Sequence, residues 1–180
     1  QKIGQHPLVE FDAYTGMKQL GEHFIHHHGS KRIVFLRAPK NHSSANDRYR
    51  AFIDAVTEAG LYTEENKRLI SDSFDWNDGL GSIRQICEGR GLKPGKDFDT
   101  IIASSDLMAF SAISWLSLFG CRIPQDVKIG GFNDSLESQI SSVPFTTVHM
   151  PYEELGLEAD RMLVRVLSGE KKIEDKMLPA

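Results

Sequence analysis

Cysteine is scarce in this chain: Cys87 and Cys121 stand far apart, with no CxxC spacing. That excludes a disulfide-stapled scaffold and a paired-cysteine zinc framework. Each lies within or beside an apolar helical pattern, where a small buried hydrophobe is preferred over a disulfide or metal ligand. The pair fits a reducing compartment. No apolar run approaches the roughly 20 residues that span a bilayer, and the polar opening Gln1 to His6 carries no signal-peptide core. The sequence opens abruptly, as though partway through a longer protein. A basic surplus is missing too. The net charge is -4 and the pI is near 6.0, so this stretch is not itself expected to grip DNA. No GxGxxG follows a strand, and no GxxxxGK[ST] or GxSxG occurs. A dinucleotide site, a nucleoside-triphosphate loop and a serine-hydrolase elbow are therefore not indicated.

What is present is an ordinary globular balance, 40% hydrophobic and 26% charged over 180 residues, enough for a buried core. Strands are expected at Pro7–Asp12, Ile33–Leu36, Arg68–Ser71, Thr100–Ala103 and Asp126–Phe132. Between them run helical patterns. One carries Met17, Leu20, Phe24 and His28 and stops at Gly29; the next carries Phe52, Val56 and Ala59 and stops at Gly60. Leu80, Ile83 and Cys87 mark another, and Leu107–Leu118 follows with Asp106 as its expected N-cap. Pro151 opens the last, which carries Leu155, Ala159, Met162 and Val166 on one face and stops at Gly169. Strand and helix in alternation predict an α/β domain with a doubly wound parallel sheet. Asn133 to Pro151 breaks that rhythm. Its extended piece Phe145 to His149 is expected to cross toward a second lobe.

In such a sheet, ligands bind beyond the strands' carboxyl ends. The residues just past each strand are Arg37, His42, Ser43, Ser44 and Arg48; then Phe74 and Trp76; then Ser104, Ser105 and Asp106; then Asn133 and Asp134. Amides, hydroxyls, carboxylates, arginines and aromatics suit a polar, multiply hydroxylated ligand. Each has a plainer alternative. Asp106 could cap its helix, Phe74 could pack a loop, and Asn133 with Asp134 could shape a turn. Arg48, expected in the first turn of its helix where a cation is disfavoured, points to a bound partner or to a salt bridge with Asp47 or another local acid. The run His26-His27-His28 reads as a helix end, since adjacent helical positions cannot all face one metal ion.

The run IIASSDLMAFSAISWLSLFGCRIPQDVKIGGFNDS, followed by VPFTTVHMPYEELG, resembles the effector-binding domain of LacI/GalR-type bacterial transcription regulators. The matching features are Gly120 to Val127, the Gly131 to Asp134 turn and Pro144 to Val148. HFIHHHGSKRIVFL and DRYRAF fit the same pattern, with Ser30 where a histidine is usual and Ala51 where a glycine is usual.

The resemblance implies a periplasmic-binding-protein-like fold of two lobes. Residues 1–11 would be a fragment of the first lobe, 12–145 a nearly complete second lobe, and 146–180 the return to the first. The DNA-binding headpiece would lie outside this sequence. The resemblance further implies ligand contacts by Arg48, Phe74, Ser105, Asp106, Asn133, Ser44 and His42. Asn133 stands where many members carry aspartate, so no particular sugar is named. Phe110, Ile140 and Ser141 would lie in a homodimer interface. The expected partners are a sugar or sugar-derived effector, a second copy of the chain, and operator DNA through the headpiece. No membrane, metal or other cofactor is expected, and the compartment would be the cytoplasm. The alternatives are the periplasmic sugar-binding protein of a transport system and an α/β enzyme.

Overall fold

The computed structural model describes residues 6–72, 75, 77–170 and 172–180. Its strands are β1 (Val9–Phe11), β2 (Ile33–Leu36), β3 (Thr100–Ala103), β4 (Lys128–Asn133), β5 (Thr146–His149) and β6 (Lys176–Leu178). Its helices are α1 (Ala13–His26), α2 (Ser43–Glu58), α3 (Gly79–Arg84), α4 (Asp106–Leu118), α5 (Leu136–Ile140) and α6 (Tyr152–Leu167).

The larger sheet has the order β2-β3-β4-β5 with every pair parallel. Side chains alternate across it, as the two-residue period of a strand requires. Val34, Leu36, Ile101 and Ala103 pack with Ile83, Met108, Ala112 and Leu116 of α3 and α4. Ile33, Phe35, Ile102 and Phe132 pack with Met17, Leu20, Phe24 and Phe52 of α1 and α2. Both faces are therefore covered, which is why β2 and β3 are continuous apolar runs. This is the doubly wound arrangement expected.

Three expectations about elements are corrected. Arg68–Ser71 is not a strand: Asn66–Leu69 forms a 3₁₀ turn, and one parallel bridge joins Ile70 to Phe35. With Lys67 and Arg68 in exposed ion pairs to Glu64 and Glu65, only Leu69 of that turn is buried. Next, Thr146–His149 does not leave with the returning segment. It pairs along β4 from Gly130↔Thr146 to Asn133↔His149, so the larger sheet extends four residues past the expected division at 145/146. Finally, Ser105 caps α4, its Oγ accepting from the Met108 N–H at 3.3 Å, and Asp106 is the helix's first residue.

The central strand β4 carries two adjacent glycines for steric reasons. A Cβ on Gly130 would lie 2.6 Å from Phe24 Cε2 on one face, and one on Gly131 would collide with Asp106 Oδ1 on the other. The bare backbone lets α1 and α4 approach from opposite sides.

The smaller sheet is β1 paired with β6 in parallel register, and α6 packs beside it. Asp12 joins the two parts of the molecule. Its N–H donates to Leu178 O at 2.8 Å, continuing the small sheet, while its carboxylate caps α1 through the Thr15 N–H at 2.9 Å.

Candidate functional site

Because β2 to β5 run parallel, Leu36, Ala103, Asn133 and His149 end at one edge of the larger sheet. The Ser104 hydroxyl ties two of those ends together. It donates to Leu36 O at 2.9 Å and accepts from the Ala38 N–H at 3.3 Å.

Arg48 reaches this edge from α2. Since α2 starts at Ser43, Arg48 lies in the second turn rather than the first, which removes the helix-dipole objection. Asp47 pairs with Arg50 instead, at 3.0 Å. Arg48 is 3% exposed, its Nη1 donates to Ser104 O at 2.6 Å, and its guanidinium lies 3.8 Å from the Phe132 ring centroid. Burial lowers its pKa to about 10, opposed by the negative charge that Tyr152 and Asp106 can carry. It remains a cation at neutral pH, stacked on an aromatic face.

Asp106 is fully buried. Its Oδ1 accepts from the Thr147 hydroxyl at 2.6 Å, and its Oδ2 accepts from the Ser135 N–H at 2.7 Å and the Ser135 hydroxyl at 3.2 Å. Burial raises its pKa, and these hydrogen bonds oppose the rise. Ser105 is also buried and occupied with capping α4.

The turn they hold is strained. Asn133 has φ 122° and Asp134 φ 52°, values that L-residues seldom adopt. Asn133 Oδ1 is buried and has no hydrogen-bond partner among the described residues. Asp134 Oδ1 accepts from the Ser138 hydroxyl at 3.1 Å, and its Oδ2 lies 2.9 Å from His149 Nδ1.

The remaining candidates fall elsewhere. His42 is an exposed residue immediately before α2. Ser44 is half-buried and lines a crevice of about 570 Å³, which α2 forms with Val9, Phe11 and Leu155 of the small-sheet region. Phe74 lies outside the described residues. Of the interface candidates, Phe110 and Ser141 are half-buried and Ile140 is exposed. Sequence reasoning passed over Thr147, Ser135, His149 and Tyr152. Thr147 and His149 stood in the quoted run VPFTTVHMP, but only the pairing of β5 with β4 brings them to Asp106 and Asp134.

Among the described residues, no group of three or more His, Cys, Asp or Glu is placed to hold a metal ion, and no helix is long and apolar enough to cross a membrane.

Residues 22–180 match the periplasmic binding protein-like domain family. The chain belongs to that family. The relatives are regulators of LacI type. The transcriptional regulator CelR of Thermobifida fusca is 30% identical over 162 residues, 90% of this chain and 46% of that protein. The ribose operon repressor of Bacillus subtilis strain 168 is 26% identical, over 93% of this chain and 49% of its own length. The solved complex of CelR with cellobiose superposes with a TM-score of 0.83 at 29% identity, covering 97% of this chain and 51% of that one. The chain therefore spans about half the length of these relatives, which are transcription regulators.

Proposed function

We propose that this chain is the effector-sensing part of a LacI/GalR-type regulator, binding a small sugar-like ligand at the carboxyl edge of the larger sheet. The observation that carries the reading is Asn133: a strained backbone presents a buried carbonyl oxygen that lacks a partner among the described residues. A hydroxyl donor would satisfy it. Arg48, held on Phe132, supplies charged donors at the same edge of the sheet. Asp106 acts by positioning, fixing the Asn133–Ser135 turn through Ser135 and Thr147. The CelR relative, solved with cellobiose, supports a saccharide as the ligand class.

In this reading residues 6–11 and 150–180 belong to a first lobe and 12–149 form the second. Ligand closes the lobes by binding the closed state more tightly than the open one, and closure alters operator affinity without chemistry. The whole regulator works in the cytoplasm as a homodimer. Exposed Leu80, Leu136 and Ile140 sit on α3 and α5, which both pack on α4, and form with Phe110 of α4 the face offered to the second copy. Ser141 follows at the end of α5.

The test is calorimetry and operator binding on the intact regulator with cellobiose, ribose and related sugars. A sugar should bind, and Arg48→Ala should abolish its influence on operator binding while leaving operator affinity itself unchanged. An undiminished response in Arg48→Ala would sink the site assignment.

A further inference from the structure

The histidine run at the end of α1 has no part in the edge described above, yet the fold arranges it in an unexpected way. On a continuing helix, residues five apart diverge by about 140°. Here α1 stops at His26, and Gly29 turns the chain in the left-handed region at φ 65°. The Ser30 N–H then closes on Phe24 O at 3.0 Å, wrapping the chain back over the helix end. That reversal folds His28 back over the helix. Its ring packs on Phe24 with centroids 5.4 Å apart and meets the His23 ring edge-on at 4.8 Å. The two Nε2 atoms come to 3.1 Å.

We infer that His23 and His28 form a chelating site for a borderline divalent cation such as Zn²⁺, Ni²⁺ or Cu²⁺, because the fold brings both Nε2 atoms within 3.1 Å of each other at an exposed position. Two imidazole nitrogens each about 2.0–2.1 Å from one tetrahedral ion lie roughly 3.3 Å apart, close to the spacing already present. Three features favour an ion over a simple Nε2–H···Nε2 contact. Phe24 fixes the His28 ring, so little ordering remains to be done. His28 is exposed, so water can fill the other coordination positions. The site also sits at the C-terminal end of a fourteen-residue helix, where the backbone dipole favours positive charge. Imidazole selects zinc, nickel and copper over magnesium and calcium. The His27 ring, 5.3 Å from that of His23, is the nearest third donor. His26 makes none of these ring contacts and serves as the control.

The experiment is isothermal titration of the chain with ZnCl₂ and with MgCl₂. It is repeated on His23→Gln, His28→Gln, His26→Gln and a Cys87→Ser/Cys121→Ser variant, and circular dichroism confirms folding. One equivalent of zinc and no magnesium should bind. His23→Gln and His28→Gln should each weaken zinc by roughly tenfold or more, with the other two variants unchanged. For any variant that unfolds, the imidazole proton resonances of the wild type decide: Cu²⁺ should broaden those of His23 and His28 first. No zinc binding at micromolar concentration, equal loss in His26→Gln, loss only in the cysteine variant, or broadening that spares His23 and His28 would each overturn the site.

Discussion

The two ends of the larger sheet are built to opposite rules. At the end where β2, β3 and β4 begin, left-handed backbone is assigned to glycines such as Gly29 and Gly120, which carry it without strain. Polar groups there are matched: the Thr100 hydroxyl donates to Ser30 Oγ at 2.6 Å, and Asp126 is clamped by the Arg122 Nε and Nη2 at 3.0 and 2.6 Å. Its cavity of about 690 Å³ is walled by Leu92, Trp115, Phe119 and the two cysteines. At the other end, left-handed backbone falls on Asn133 and Asp134, a cation is buried on an aromatic ring, and one amide oxygen lacks a partner among the described residues. One end is relaxed and satisfied. The other holds strain and open hydrogen-bonding capacity, the pattern expected where a ligand completes the structure.

The sharpest way to break this contrast is at Asp106. Asp106→Ala removes the acceptor for the Ser135 N–H and for the Ser135 and Thr147 hydroxyls, and should cost about 3 kcal/mol in urea unfolding. Asp106→Asn should cost less. Burial raises this carboxyl's pKa, so the wild type binds its proton more tightly folded than unfolded. That contribution is full below the unfolded value of 3.8 and is lost as pH rises through the folded value.

Asn133→Gly comes next and tests the strain directly. It should raise stability by about 1 kcal/mol, because glycine accepts the positive φ, while weakening sugar binding roughly tenfold. A variant that loses stability instead would mean the turn is not strained.

The opposite edge should respond more quietly. Burial raises the Cys87 thiol to about 12 and raises Cys121 as well, so few thiolates form near neutrality. Iodoacetamide at pH 8 should modify neither in the native protein and both after unfolding, read by mass spectrometry. The smallest effect belongs to Asp126, held at about 2 by hydrogen bonds from Arg122. Its stabilisation is present above the ordinary 3.8 and is lost as pH falls toward 2, and Arg122→Ala should flatten that acid limb of the melting curve.

Much of the fold was legible in the sequence. Ile33–Leu36 and Thr100–Ala103 are strands with the expected bounds, since a short continuous apolar run between turn residues has few other places to go. Arg68–Ser71 was not legible, because one bridge beside Phe35 is settled by tertiary packing rather than local pattern. The edge itself was half legible. Parallel strand order brings Arg48, Ser105, Asp106 and Asn133 to one edge, but the exchange of capping from Asp106 to Ser105 depends on Ser135 and Thr147, 29 and 41 residues away. No local spacing carries that information.

Asp12 has a mechanical meaning beyond its capping bond. One residue separates β1 from α1, its amide engaged to Leu178 and its carboxylate to Thr15. Such a joint has no slack. It ties the small sheet to α1, and α1 lies directly on the bare backbone of Gly130 in the strand that ends at Asn133.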